Sequence, residues 1–316
     1  MDLIPNRWYA VLDASEVPSG TPVGFERMGR RLVFWRDGQG QVRCADDRCP
    51  HRGAAMSSGF VRDGQLQCRY HGFCFDSGGQ CTAIPPHPKM RIPQRMALSV
   101  HTVRQAHDLI WFWNGAAEDA PDEIPFFDFS GLTYAGSRMQ KMWPTHYARV
   151  AENELDWAHL PFVHRNTIGR GLPEAVEVEV EIEGDRFRAW SKLSGPDSYV
   201  ELLAPNVWRL RFSEKMYNFL AFAPVNDASV VIYGRTYQGV MPAWPLNWLF
   251  GKTWALTNPF VLRQDFVTVT SQRPKIPSLS NGDVFVPSDK AIVAFFRWRR
   301  RLQQAAQETP DRMASK

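Results

Sequence analysis

Cysteine is scarce, and its count is odd: five in 316 residues. A disulfide framework uses cysteines in pairs, so metal ligation in a reducing compartment is the better reading of that number. Long apolar runs are missing as well. No stretch approaches the roughly 18 apolar residues of a membrane span, and the most apolar segments, 109–113 and 219–225, suit buried strands. The opening Met1-Asp2-Leu3-Ile4-Pro5-Asn6-Arg7 has no basic segment leading into an apolar one, so a signal peptide is not expected and a cytoplasmic location is. Repeats and low-complexity tracts are absent too. Neither sign of charge dominates, since the formal net charge is +4. Residues 290–316 hold seven basic side chains against two acids, which leaves about −1 for the rest of the chain. A nucleic-acid surface spread over the whole protein is therefore excluded, and a membrane partner is not expected.

What is present divides the chain in two. The first third alternates short strand candidates (31–35, 40–44, 66–69 and 109–113) with Gly- and Asp-rich turns. A small-residue, acidic stretch after Trp113 marks a boundary, giving domains at 1–115 and 116–316. In the second part, residues 149–160 read as helix. The alternation at 176–182 reads as a strand with one wet face, and further strands follow up to residue 237. Helices are then expected at 248–258 and 259–271, broken at Pro259, with a last one at 289–307. The expected fold is α+β: a small all-β domain, then a curved antiparallel sheet with helices.

Two turn regions each offer one thiol and one imidazole: Cys49-Pro50-His51-Arg52-Gly53 and Cys68-Arg69-Tyr70-His71-Gly72. Two Cys and two His on facing loops suit a Rieske [2Fe–2S] centre, in which neutral imidazoles replace thiolates on one iron and raise the potential. A zinc site uses the same ligand set, but at C-x2–4-C and H-x3–5-H spacing rather than the C-x-H and C-x2-H seen here. Cys44, Cys74 and Cys81 read as small buried hydrophobes.

A second constellation spans residues 152–164, Glu-Asn-Glu-Leu-Asp-Trp-Ala-His-Leu-Pro-Phe-Val-His. On a helix Asp156 and His159 share a face. His159 and His164 would diverge unless Pro161 breaks the helix and lets them converge. Two imidazoles beside a carboxylate suggest the two-His, one-carboxylate site of non-haem Fe(II) oxygenases, with open positions for O2. Asp156 could be the third ligand, or it could accept from His159 and fix its tautomer. Asp265 is the best downstream ligand, because it sits on a helix face with Val261 and Val269, where a carboxylate is costly unless paired or metal-bound. Glu201 and Asp289 are weaker rivals.

With these residues in view, the chain resembles the catalytic α subunit of a Rieske non-haem iron ring-hydroxylating oxygenase. The resemblance is carried by Cys49, His51, Cys68 and His71, by Asn153-x-x-Asp156-x-x-His159-x4-His164, by Asp265 seven residues before Gln272, and by the opening Asn6-Arg7-Trp8-Tyr9-Ala10-Val11. It covers roughly residues 5–300. Within the family the chain is most similar to the α-only monooxygenase and demethylase branch, which includes the vanillate O-demethylase and dicamba monooxygenase oxygenase subunits. It departs at Gln264-Asp265, where the family often has Glu-Asp, and at Phe73-Cys74, where Trp commonly follows His-Gly.

The resemblance implies a Rieske domain followed by a helix-grip catalytic domain. It implies a [2Fe–2S] cluster on Cys49, His51, Cys68 and His71, and a mononuclear Fe(II) on His159, His164 and Asp265. Asn153 and Asp156 are counted with the catalytic residues. The implied partners are O2, a small apolar or aromatic substrate, and an NAD(P)H-dependent reductase (flavin and iron–sulfur) or a ferredoxin. The implied assembly is a head-to-tail homotrimer, in which Asp156 bridges His71 of one subunit to His159 of the next. Hydroxylation or oxidative dealkylation is the expected reaction, with cis-dihydroxylation of an aromatic ring as the alternative and a Rieske-type electron carrier as the remote one. The Arg297–Arg301 cluster reads as a solvated helix end or as a docking patch for an acidic electron donor.

Overall fold

The computed structural model describes residues 1–316 except 136–137, 242, 244 and 314–316; the side chains of 255–257, 259 and 308–313 are also outside the description. Arg312 and Lys316 of the basic tail therefore fall beyond it. The chain forms two compact units, 8–124 and 1–7 together with 125–316. Among the described residues no helix is long and apolar enough to cross a membrane.

The unit 8–124 is made of three small antiparallel sheets. One pairs Trp8–Asp13 with Leu109–Trp113 and Val103–Ala106, and its first and last strands are neighbours. A second carries Arg30–Arg36 between Val23–Arg27 and Val42–Asp46. The third orders Phe60–Arg62, Gln65–Gln67, Cys74–Phe75 and Cys81–Ala83. Trp35, Met56, Leu66, Phe75 and Leu98 are buried together with Cys49 and Cys68, so the sulfurs of both loops face a hydrophobic core. All five cysteines are free thiols. Cys44 and Cys81 are buried, and the Cys74 thiol donates to the Gly72 carbonyl at 3.3 Å.

The larger unit is built on an eight-stranded antiparallel sheet. Long strands Met216–Asn226 and Ser229–Gln238 pair along most of their length toward one side of it, and Val178–Glu183 is the opposite edge. The alternating Val-Glu-Val-Glu-Ile-Glu of that edge leaves its acids toward water, and Glu179 pairs with Lys290 at 2.6 Å. Among the described residues four α-helices accompany the sheet: α1 (Tyr147–Asn153), α2 (Leu160–Val163), α3 (Leu246–Ser271) and α4 (Lys290–Met313). Phe295 and Trp298 of α4 lie against Phe187 of the sheet, with ring centroids 6.2 and 5.5 Å away. Burying an aromatic side chain of that size contributes roughly 1.5–3 kcal/mol.

Three expectations change. The boundary expected at 115/116 falls instead at 7/8 and 124/125, because residues 1–7 join the larger unit. There Asp2 accepts from buried Arg299 at 3.0 and 3.2 Å, and Arg7 pairs with Asp185 at 2.9 Å. Arg299 is thus a core cation that also donates to the Tyr147 hydroxyl at 2.8 Å, which removes it from any docking patch; Arg297, Arg300 and Arg301 remain exposed. The two helices expected around Pro259 are one continuous helix, α3. A proline inside a helix forfeits one backbone hydrogen bond, and the ladder on either side carries the 26-residue helix through.

Candidate functional site

The two Cys/His loops share one backbone pattern. Cys49 N–H donates to the Ala54 carbonyl at 2.8 Å, and Cys68 N–H to that of Phe73 at 2.9 Å. Gly53 N–H donates back to Cys49, and Gly72 N–H back to Cys68, at 2.8 and 2.9 Å. Both glycines sit at φ +74°, a left-handed turn that a side chain would strain. The pattern puts Cys49 and Cys68 inside and leaves His51 at the solvent side, its ring centroid 4.7 Å from that of His71. Phe73, standing where the family commonly has Trp, stacks on His51 with centroids 4.7 Å apart. Burial, reinforced by the Cys68 sulfur beside it, pushes the Cys49 thiol up to about 11. A bound metal ion deprotonates such a thiol outright. Partial burial and the neighbouring His51 and Arg52 lower His71, which favours the neutral ring that a ligand must be. Two inner sulfurs and two outer imidazoles fit a [2Fe–2S] cluster of the Rieske type.

The second site depends on where a helix stops. His146 Nδ1 accepts from Ala148 N–H at 3.2 Å and starts α1. The helix expected at 149–160 ends at Asn153, because the Asp156 carboxylate accepts from Ala158 N–H at 2.7 Å and holds a turn that competes with the helix. Pro161 then lies in the first turn of α2, where its missing N–H is harmless; it helps to begin a helix, and the break precedes it. His159 and His164 flank this single helical turn, with ring centroids 5.2 Å apart. Gly169 N–H donates to the His164 carbonyl at 3.0 Å. A Cβ on Gly169 would meet the Leu160 carbonyl at 1.9 Å, so the glycine permits the chain to pass under α2.

Asp265 on α3 completes the group. Its Oδ1 lies 2.8 Å from His164 Nε2 and 3.4 Å from His159 Nε2. One ligand atom from each of the three residues falls within 4.8 Å of the others, the one such group of three or more among the described residues. Burial alone would lower His159, but the Asp156 and Asp265 carboxylates beside it outweigh it and raise His159 to about 9. The same contacts, with His164, hold Asp265 below its ordinary value against the opposing effect of burial. Without a metal the site therefore stores a proton between carboxylates, and a divalent cation displaces it. Two imidazoles and a carboxylate converging on one point fit Fe(II).

Asp156 stands 3.6 Å from His159 Nδ1. Asn153 ends α1 and lines the same cavity, of about 490 Å³, as the three converging residues. The rivals are engaged elsewhere. Glu201 is buried among Arg186, Arg188 and Arg209, and Asp289 accepts from Val286 N–H at 2.8 Å.

Two residues escaped the sequence reading. Gln264 Oε1 lies 2.8 Å from His164 Nδ1 and accepts from the Thr167 hydroxyl at 2.9 Å. An amide oxygen can only accept, so His164 carries its proton on Nδ1 and turns the Nε2 lone pair to the metal position. The signal was present as Gln264 directly before Asp265, but its meaning depends on α2 and α3 meeting. Gln264→Leu is expected to weaken Fe(II) binding about 10–100-fold, the usual cost of losing such an outer partner. Titration of the metal-free protein with Co(II) would show it, and an unchanged affinity would remove Gln264 from this role. The second residue is Glu154, an acid on the cavity wall that burial, aided by Asp265, lifts to about 8.

Residues 7–102 match the family of the Rieske [2Fe–2S] domain, and residues 143–209 that of the vanillate O-demethylase oxygenase C-terminal domain. Pheophorbide a oxygenase from Oryza sativa subsp. japonica is 33% identical over 94% of this chain and 64% of its own length. Chlorophyllide a oxygenase from Chlamydomonas reinhardtii is 35% identical over 93% and 47%. The vanillate O-demethylase oxygenase subunit of Pseudomonas sp. (strain HR199 / DSM 7063) is 29% identical over 65% and 55%. Among these and the chloroplast TIC 55 proteins, the chain spans from 30% to 64% of the relative's length. In solved structures the same fold occurs in Pseudomonas putida CBB5 NdmA, with TM-score 0.81 and 23% identity over 96% of this chain and 92% of that one. It also occurs in dicamba monooxygenase bound to dicamba, with TM-score 0.81 and 21% identity over 97% and 99%.

Proposed function

We propose that the chain, which joins a Rieske [2Fe–2S] domain to a vanillate O-demethylase oxygenase C-terminal domain, is a terminal oxygenase of the Rieske family that hydroxylates or oxidatively dealkylates a small apolar molecule. The observation that carries the reading is the convergence of His159, His164 and Asp265 on one point in the wall of the cavity. Bound iron there supplies reductive activation of O2 for attack on a C–H bond. Leu160, Val200, Trp208, Leu220 and Leu262 supply apolar wall that binds the substrate and excludes water. Gln264 orients His164 from behind through Nδ1, and the Asp156 carboxylate faces His159 Nδ1 across 3.6 Å. Cys49, His51, Cys68 and His71 would hold a cluster able to accept electrons from an NAD(P)H-dependent reductase or a ferredoxin.

Iron analysis and turnover test this together. The oxygenase holds roughly three iron atoms per chain, two in the cluster and one outside it. With a surrogate reductase and NADH it adds one oxygen atom from labelled O2 to a member of a panel of apolar aromatic and polycyclic compounds, or releases a methyl group as formaldehyde. Two iron atoms per chain with no O2-dependent product would leave an electron carrier; addition of both oxygen atoms would indicate dihydroxylation.

The proposal extends to a head-to-tail trimer in which Asp156 links His159 to His71 of the neighbouring subunit. In Asp156→Asn both metal centres are expected to remain while turnover falls about 10–100-fold, as for other partners of ligating histidines. Rapid-mixing measurement of cluster reoxidation locates the defect, and reoxidation at the wild-type rate would exclude the link.

A further inference from the structure

We propose that Glu154 makes the cavity selective for an apolar amine, whose nitrogen donates to the Glu154 carboxyl, and that it excludes anionic substrates. The inference rests on the oxygenase reading above and names the substrate class of that same site.

Glu154 caps the carboxyl end of α1 and lines the cavity with His159, His164 and Asp265. It lies outside the three-residue group that could hold a metal. In the Asn153-x-x-Asp156-x-x-His159 pattern, position 154 is unspecified, so the metal chemistry does not call for an acid there. Other acids on or near this wall are matched. Glu152 pairs with Arg149 at 2.8 Å, Asp265 with both imidazoles, and Asp156 with Ala158 N–H at 2.7 Å. Among the described residues the Glu154 side chain has no hydrogen-bond or ion-pair partner. Its carboxyl therefore has its full hydrogen-bonding capacity free for whatever enters.

The rest of the wall decides the sign of that visitor. Apolar and aromatic side chains dominate it, and the polar ones, such as Asn153, Ser198 and Asn218, are uncharged apart from the acids and the two histidines. No lysine or arginine lines the cavity among the described residues. A substrate carboxylate or sulfonate placed at Glu154 would find no lysine or arginine to compensate it, whereas a protonated amine would supply the missing partner. A charge leaves water readily only when its counterpart is in place.

Binding to the iron-loaded protein, read by equilibrium dialysis under anaerobic conditions, separates this inference from the oxygenase reading, since it needs no turnover. Three probes of one skeleton suffice: 4-ethylbenzylamine, 4-ethylbenzyl alcohol and 4-ethylbenzoate. The wild type should bind the amine at least about tenfold more tightly than the benzoate. In Glu154→Gln the amine should weaken about tenfold while the alcohol changes less than about threefold, and in Glu154→Lys the order of amine and benzoate should invert. Thermal melting confirms that each variant is folded. The proposal is overturned by benzoate binding as tightly as the amine, by an amine-to-benzoate ratio unchanged in Glu154→Gln, or by no amine binding at millimolar concentration. Failure of the oxygenase reading would appear separately, as a chain holding only cluster iron.

Discussion

Asp265→Ala is expected to remove one of roughly three iron atoms per chain, leave the cluster's visible absorption unchanged, and abolish O2-dependent turnover. Asp265 is the carboxylate of the converging group, and its Oδ1 is the atom both imidazoles face. With it gone, two neutral rings remain and the charge that matched the metal is lost. An outer partner of a ligand costs up to about 100-fold in metal affinity, and the loss of a charged ligand should exceed that. The cluster ligands belong to the other unit, so their spectrum serves as an internal control. Iron analysis and the spectrum, measured on one sample, check the expectation. Retention of all the iron would return the third-ligand role to Asp156.

Glu201→Gln should show the opposite pattern, with iron content intact and stability reduced. Glu201 is 1% exposed and accepts two bonds from Arg209, at 2.7 Å from Nε and 2.6 Å from Nη2. Arg186 and Arg188 also reach it, at 3.1 and 3.6 Å, but their side chains are 46% and 38% exposed and can turn to water. Arg209 is only 11% exposed and is held beside the rings of Phe127, Tyr199 and Tyr217. Removing one partner of a buried pair costs about 3–5 kcal/mol. Because two of the three cations can relax into solvent, the lower end, about 3 kcal/mol, is expected. In a unit of this size that lowers Tm by roughly 6–12 °C. Thermal melting would show it, and a Tm within a degree of wild type would mean that Arg209 finds another partner.

These two acids illustrate how far the sequence could be read. Both were ligand candidates, Glu201 as the weaker rival. Asp265 could be preferred because its helical neighbours Val261 and Val269 lie on its own strip of surface, a local fact. The three arginines around Glu201 come from neighbouring strands, and register is not a local fact. The Cys/His loops were legible in full, since each packs its spacing, its glycine and its turn into five residues. The helix break was placed at Pro161, the stronger breaker on its own; what ends α1 is Asp156, through a hydrogen bond two residues ahead. Gln264 was read as a departure from a pattern because its partner His164 lies 100 residues away. Arg299 looked like surface charge because nothing near it in sequence reveals Asp2.

The tie between Asp2 and Arg299 bears on how the chain assembles. The larger unit is interrupted in sequence: residues 1–7 are separated from 125–316 by the whole of 8–124. If that stretch were an unfolded loop, closing it would cost about 4 kcal/mol in chain entropy. But the strand Trp8–Asp13 lies beside Leu109–Trp113, with Trp8 opposite Trp113. Once the smaller unit folds, Trp8 and Trp113 stand about one strand spacing apart, and the stretch after Trp113 is itself held to that unit, with Trp8 Nε1 donating to the Pro121 carbonyl at 3.2 Å and Arg104 to the Asp122 carboxylate at 2.7 Å, so most of that cost is met within it. The inserted unit thus acts as a clasp that brings the two parts of its host together, and an order of folding is written into the connectivity.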